Sequence, residues 1–166
     1  MAYVLSDRRR HWKEEEFQGL KPTIYDWCRM AAFLDGEGTL QVNPYKTKRV
    51  VQVRMIVINT NPALPAWLVQ TFGGNVVLRS HNNPRWKDTY AWSCTSGRAA
   101  WIMHNCLPWF LLKKAQAELL IALQEHIDCT KQGRNRKLSD DARKYREGVH
   151  AEIKKLNARG PKPVSV

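Results

Sequence analysis

The run Met30-Ala31-Ala32-Phe33-Leu34-Asp35-Gly36-Glu37-Gly38 joins an apolar helical segment to a glycine turn that bears two carboxylates. Thr23 stands where an N-cap is needed, and Asp26 completes a capping box. Together they predict a helix from Ile24 to about Leu34, stopped by Gly36 and Gly38. Ala31 and Ala32 leave almost no side chain on one helical face. A second helix can then approach to near backbone contact, with Asp35 and Glu37 at the end of that contact. Two copies would bring two acidic centres together.

Thr39 to Tyr45 and Arg49 to Asn59 alternate with the period of half-buried strands. In the second run Val51, Val53, Met55 and Val57 share one face while Gln52 and Arg54 point the other way, so one face is core and the other is free for a ligand. Asn61-Pro62 begins a helix that continues through Trp67, Leu68 and Phe72 until Gly73-Gly74 ends it. Asn75 to His81 and Arg85 to Cys94 make a second hairpin around Asn82-Asn83-Pro84. Val76, Leu78, Tyr90 and Trp92 take the core parity. Asn75, Val77, Arg79, His81, Lys87, Thr89, Ala91 and Ser93 fall on the open face, although a slip of one residue would exchange the two sets.

Ser96 to Leu107 and Phe110 to about Asp128 have helical spacing, with Leu112, Leu119, Leu120 and Leu123 on one stripe. After a basic loop, Lys131 to Lys137, Ser139 caps a last helix with Asp140 and Asp141 in its first turn, and Arg159-Gly160-Pro161 ends it. That helix is highly charged, suited to packing on one side and to phosphate contact on the other.

The motif, the order of the elements and the later segment Pro108-Trp109-Phe110-Leu111-Leu112-Lys113-Lys114-Ala115-Gln116-Ala117 resemble the LAGLIDADG homing endonucleases over about residues 22 to 128. The resemblance implies an α+β fold of the αββαββα type, with an antiparallel four-stranded DNA-binding sheet and helices on its other face. Residues 1–21 would be an N-terminal extension, 22–130 the endonuclease core and 131–166 the basic loop and C-terminal helix. The arginines of the extension can touch phosphate or belong to a solvated arm.

The resemblance also implies phosphodiester hydrolysis assisted by hard divalent cations held by carboxylates. Glu37 occupies the motif's second acidic position and is the implied metal ligand, with the carbonyl of Gly36 as a second. Mg²⁺ is the implied cofactor, Mn²⁺ a substitute, and Ca²⁺ is expected to bind without supporting cleavage. Asp35 is assigned to the helix end and the interface. Lys113 takes the place of a basic residue near the scissile phosphate, able to polarise water or stabilise the transition state, with Lys114 and an ordinary surface role as alternatives. Asn61 aligns with a residue that orders solvent, and it also suits a helix cap.

One motif per chain implies a homodimer joined through Ala31, Ala32 and Asp35, with each subunit cutting one strand of a near-palindromic double-stranded DNA site. Gln41, Asn43, Tyr45, Lys48, Gln52, Arg54, Asn75, Arg79, His81, Lys87 and Thr89 are the expected base readers. Gln and Asn suit adenine and Arg suits guanine, each good pair being worth about 1 to 3 kcal/mol of discrimination. The family's enzymes belong to mobile introns or inteins. The alternative is a noncleaving relative, an intron RNA maturase or a DNA-binding regulator.

Composition agrees with a polyanion partner. At 166 residues the chain is long enough for one substantial core, and its formal charge is +12 with 27 Lys and Arg against 15 Asp and Glu. No apolar run is long enough to span a membrane, and the N-terminus has no secretory apolar segment, so a soluble intracellular protein is expected. Cys28, Cys94, Cys106 and Cys129 form no Cys-x-x-Cys pair and are expected to be reduced and mostly buried, and the five histidines are scattered. No nucleotide-binding glycine loop and no Ser-His or Cys-His nucleophile is present.

Overall fold

The computed structural model describes residues 20–44, 51–81, 83, 85–130 and 138–158. Helix α1 (Ile24–Gly36) leads into strands β1 (Gly38–Pro44) and β2 (Val51–Asn59), then α2 (Ala63–Phe72), β3 (Asn75–Arg79), β4 (Thr89–Thr95) and α3 (Ser96–Cys106). A 3₁₀ turn over Leu107–Trp109 precedes α4 (Lys114–Cys129), and α5 (Asp140–Leu156) closes the described chain. The strands form one antiparallel sheet in the order β1-β2-β4-β3. This is the expected α+β architecture, with the seven elements from α1 to α3 in αββαββα order and α4 and α5 following them. No described helix is long and apolar enough to cross a membrane.

The local signals act as their chemistry dictates. Thr23 and Asp26 form a reciprocal capping box, the Asp26 carboxylate accepting the Thr23 N–H at 2.8 Å. Gly73 and Gly74 have φ of 69° and 93°, which an L side chain rarely adopts, and so they end α2. Helix α1 runs two residues past the expected stop at Leu34, through Gly36, because neither Gly36 nor Gly38 adopts a positive φ. Gly38 has a different role. A Cβ there would lie 2.6 Å from the Leu34 Cα, so only glycine lets β1 leave so close to the helix.

Register fixes the two faces of the sheet. Leu40 pairs with Met55, Val42 with Val53 and Val57 with Trp92, all on the helix side and buried. Met30, Leu34, Leu68, Phe72, Ile102, Leu120 and Leu123 fill the space beneath, and Val149 and Ile153 of α5 belong to the same core. Burying each such side chain contributes on the order of 1.5 to 3 kcal/mol. At the helix's end Asn157 Nδ2 donates to the Leu40 carbonyl of β1 at 2.7 Å, fastening α5 to the sheet edge.

Several packing expectations need correction. Val76 and Leu78 have the helix-side parity but remain 38% and 53% exposed on edge strand β3. The fourth helix begins at Lys114 rather than Phe110, and Leu112 is 74% exposed rather than part of its stripe. Cys94 and Cys106 are buried, whereas Cys28 is half-buried and Cys129 exposed. Burial pushes the Cys94 thiol up to about 12 and the Cys106 thiol higher still, which leaves neither available as a nucleophile.

Candidate functional site

The pairing of Gly38 with Val57 sets the motif turn beside the end of β2. Glu37, the C-cap of α1, is exposed there. Its carboxylate accepts a hydrogen bond from Asn59 Nδ2 at 2.7 Å, and Asn59 Oδ1 accepts the Asn61 N–H at 2.8 Å. Asn61 Oδ1 in turn accepts the Ala63 N–H at 3.0 Å. Asn61 therefore makes an Asx turn that leads into α2, whose N-cap is Pro62, and Asn59 is the amide that reaches the acidic centre. Asn59 has the same parity along β2 as Val57. At the strand's end the core has stopped and Glu37 stands in its place.

Asp35 and Lys113 form a second arrangement behind the turn. The Asp35 carboxylate accepts the N–H groups of Leu111 at 2.8 Å, Leu112 at 3.3 Å and Lys113 at 2.9 Å. Those donors lie at the entry to α4, where a carboxylate also meets the positive end of the helix dipole. The Lys113 ammonium donates to the carbonyls of Leu34 at 2.5 Å, Asp35 at 2.8 Å and Gly38 at 2.8 Å. An ammonium has three protons, and all three are directed at main-chain oxygens. Burial pulls the Lys113 pKa down while the Asp35 carboxylate opposes it. In this geometry Lys113 braces the turn and does not extend toward a ligand in front of Glu37. Lys114, the alternative, is exposed at the first position of α4.

The residues expected at a subunit interface separate. Ala31 is fully buried in the protomer's own core, Ala32 is exposed, and Asp35 is engaged by the entry to α4. Within the protomer, Ala32 and not Ala31 is the small residue that α1 leaves exposed. Ile24 at 58% and Tyr25 at 74% exposure stand on the same helix as Ala32.

The open sheet face collects most of the expected readers. Gln41 is opposite Arg54, Asn43 opposite Gln52 and Thr89 opposite Arg79, while Asn75 lies opposite Ser93. Gln52 Nε2 donates to Ser96 Oγ at 3.2 Å, which orients that amide. His81 and Trp86 stack edge to face, 5.4 Å apart, beyond the end of the β3–β4 hairpin, and Lys87 is exposed just before β4. Tyr45 and Lys48 lie outside the described residues.

Among the described residues no three His, Cys, Asp or Glu side chains gather as metal ligands. The available donors are hard oxygens: the free side of the Glu37 carboxylate, and the Gly36 carbonyl, which is not among the three that Lys113 engages. One carboxylate and a carbonyl per chain suit Mg²⁺, which keeps several waters and shares substrate phosphates. They would not make a closed structural site.

The fold has solved counterparts. The homing endonuclease I-CvuI, solved in complex with its target in the presence of Ca, is 16% identical with a TM-score of 0.63, over 85% of this chain and 87% of that one. The archaeal intron-encoded homing endonuclease I-Vdi141I, complexed with DNA, is 12% identical with a TM-score of 0.63, over 85% and 89%. I-SmaMI bound to uncleaved DNA target with calcium ions is 20% identical with a TM-score of 0.56, and the match covers 81% of this chain but 46% of that longer one. No protein-family model matches the chain, and no curated protein matches its sequence. The chain has the fold of the LAGLIDADG homing endonucleases, including that of single-motif types.

Proposed function

We propose that this chain is a single-motif LAGLIDADG homing endonuclease: a homodimer that hydrolyses both strands of a long, near-palindromic double-stranded DNA site with Mg²⁺ or Mn²⁺. The observation that carries the proposal is the exposed Glu37 carboxylate, held by Asn59 at the end of a sheet whose open face bears Gln41, Asn43, Gln52, Arg54, Asn75, Arg79 and Thr89. A charge of +12 supplies attraction to phosphate without choice of sequence, and the hydrogen-bonding rows supply the choice. Each subunit contributes one acidic centre, so two are needed to cut two strands.

Glu37 and the Gly36 carbonyl would hold the cation, which supplies an activated water and relief of charge on the leaving oxygen. Asn59 keeps the carboxylate aimed outward, and Lys113 holds the turn from behind. This role for Lys113 replaces direct contact with the scissile phosphate, because its protons are already engaged. The same engagement favours a second reading, a noncleaving DNA or intron RNA binder on the same scaffold. The deciding experiment incubates a target library with Mg²⁺ and either wild-type protein or Glu37→Gln. Wild type should cut a subset of duplexes, and the variant should bind that subset uncut. Equal cutting by both would remove Glu37 from its role, and binding without cutting by wild type would establish the second reading.

A further inference from the structure

We infer that the open sheet face reads thymine by an apolar row, Ile58–Ala91–Val77, set beside the cleavage centre. The inference rests on the DNA-binding function proposed above and deepens it by naming the base chemistry. Ile58 is in register with Ala91, and Ala91 with Val77, across β2, β4 and β3. All three have the parity opposite to Val57 and Trp92 and so face away from the helices. Ile58 is 40% exposed and Val77 57% exposed, while Ala91 between them is 4% exposed. The row is a shallow trough with an alanine floor and two branched walls. Ile56 continues it along β2, half-buried and opposite Ser93.

Elsewhere on this face the pairs are hydrogen-bonding ones: Gln41 with Arg54, Asn43 with Gln52, and Arg79 with Thr89. Branched apolar side chains left in water among them gain nothing from phosphate. In the major groove the C5 methyl of thymine is the apolar group that an unmodified base edge presents. Strands about 4.8 Å apart make the row roughly 10 Å across, which fits a groove about 12 Å wide. Its place is defined too. Ile58 precedes Asn59, whose amide holds Glu37, so the trough lies over base pairs next to the phosphate to be cut, and the polar rows Gln41–Arg54 and Asn43–Gln52 fall further out along β2.

The test begins with duplexes selected from a random pool by the wild-type protein in Ca²⁺. Each thymine of a selected duplex is then replaced singly by deoxyuridine, which removes only the methyl. One or two thymines per half-site, next to the cleavage position, should each lose about fourfold in affinity, the worth of one buried methyl group. Ile58→Ala and Val77→Ala alter exposed positions, and circular dichroism should find both folded. Each should bind the thymine and uridine duplexes equally. If the selected duplex is bound tightly but every uridine replacement is neutral, or if both variants keep the discrimination, the row is no methyl reader although DNA reading stands. If no duplex is preferred at all, the DNA-binding function fails and this inference with it.

Discussion

Asp35 and Lys113 hold each other through opposite ends. The Asp35 carboxylate accepts the Lys113 N–H at 2.9 Å, and the Lys113 ammonium donates to the Asp35 carbonyl at 2.8 Å. The first bond caps the start of α4 and the second caps the end of α1. Each residue thus satisfies main-chain groups that a helix terminus leaves unpaired. Glu37 sits two residues beyond Asp35, so the position of the acidic centre depends on this double clasp.

Lys113→Met should therefore lower stability as well as cleavage. Leaving partly buried carbonyls without donors costs about 1 to 3 kcal/mol, measurable as a shift of the urea midpoint. Lys113→Arg should not restore it, because a planar guanidinium cannot reach three converging carbonyls as an ammonium does. Wild-type stability in the methionine variant, with cleavage alone lost, would return Lys113 to direct chemistry.

Asn59→Ala should leave folding largely intact and slow cleavage. Partners that orient a metal-binding side chain typically matter by about 10- to 100-fold in metal affinity or rate. Affinity for the selected duplex should stay close to wild type in a titration without cleavage. A fall in affinity as large as the fall in rate would make Asn59 a DNA contact and not the orienting group of Glu37.

Ala32→Glu should give a folded monomer. The residue is exposed on α1, and a like charge on each of two apposed helices would repel across a twofold axis. Analytical ultracentrifugation should find half the wild-type mass, with near-native circular dichroism and no double-strand cleavage. A dimer that survives this change does not meet through the Ala32 face.

Acid should destabilise the fold through His126. Its pKa is lowered by burial and, secondarily, by the Arg146 guanidinium, and His150 is shifted the same way by burial and Lys154. When the folded-state pKa is the lower one, the unfolded chain binds more protons at intermediate pH. Stability then falls as pH drops through about 6.5 toward the folded-state value and is unaffected well above it. Urea midpoints at about pH 7.5 and 5.5 should differ, and His126→Gln should make the difference smaller. An unchanged difference would place the acid sensitivity elsewhere.

Sequence patterning made the faces of the sheet legible but not their coverage. Alternation placed Val53, Met55, Val57 and Trp92 correctly, since a period of two is set by the strand itself. It could not tell that Val76 and Leu78 stay exposed on an edge strand, since coverage depends on other elements and not on the strand. The start of α4 was hidden for a similar reason. Phe110 to Lys113 have helical composition, yet Asp35, distant in sequence, draws their N–H groups into a turn. Asn59 and Asn61 are both polar residues at the end of β2, and only the three-dimensional approach of Glu37 shows that the Asn59 amide is the one that reaches it.

The bond from Asn157 to the Leu40 carbonyl bears on how copies of this molecule could stick together wrongly. It occupies an acceptor in the middle of β1 on the outer side of the sheet, beneath the end of α5, whereas no described strand adds to the outer side of β3. Among the described residues, unwanted strand addition is thus favoured at β3 over β1. Two molecules joined edge to edge through β3 would each cover the flank the other needs, so that accident favours a closed pair over a growing fibre.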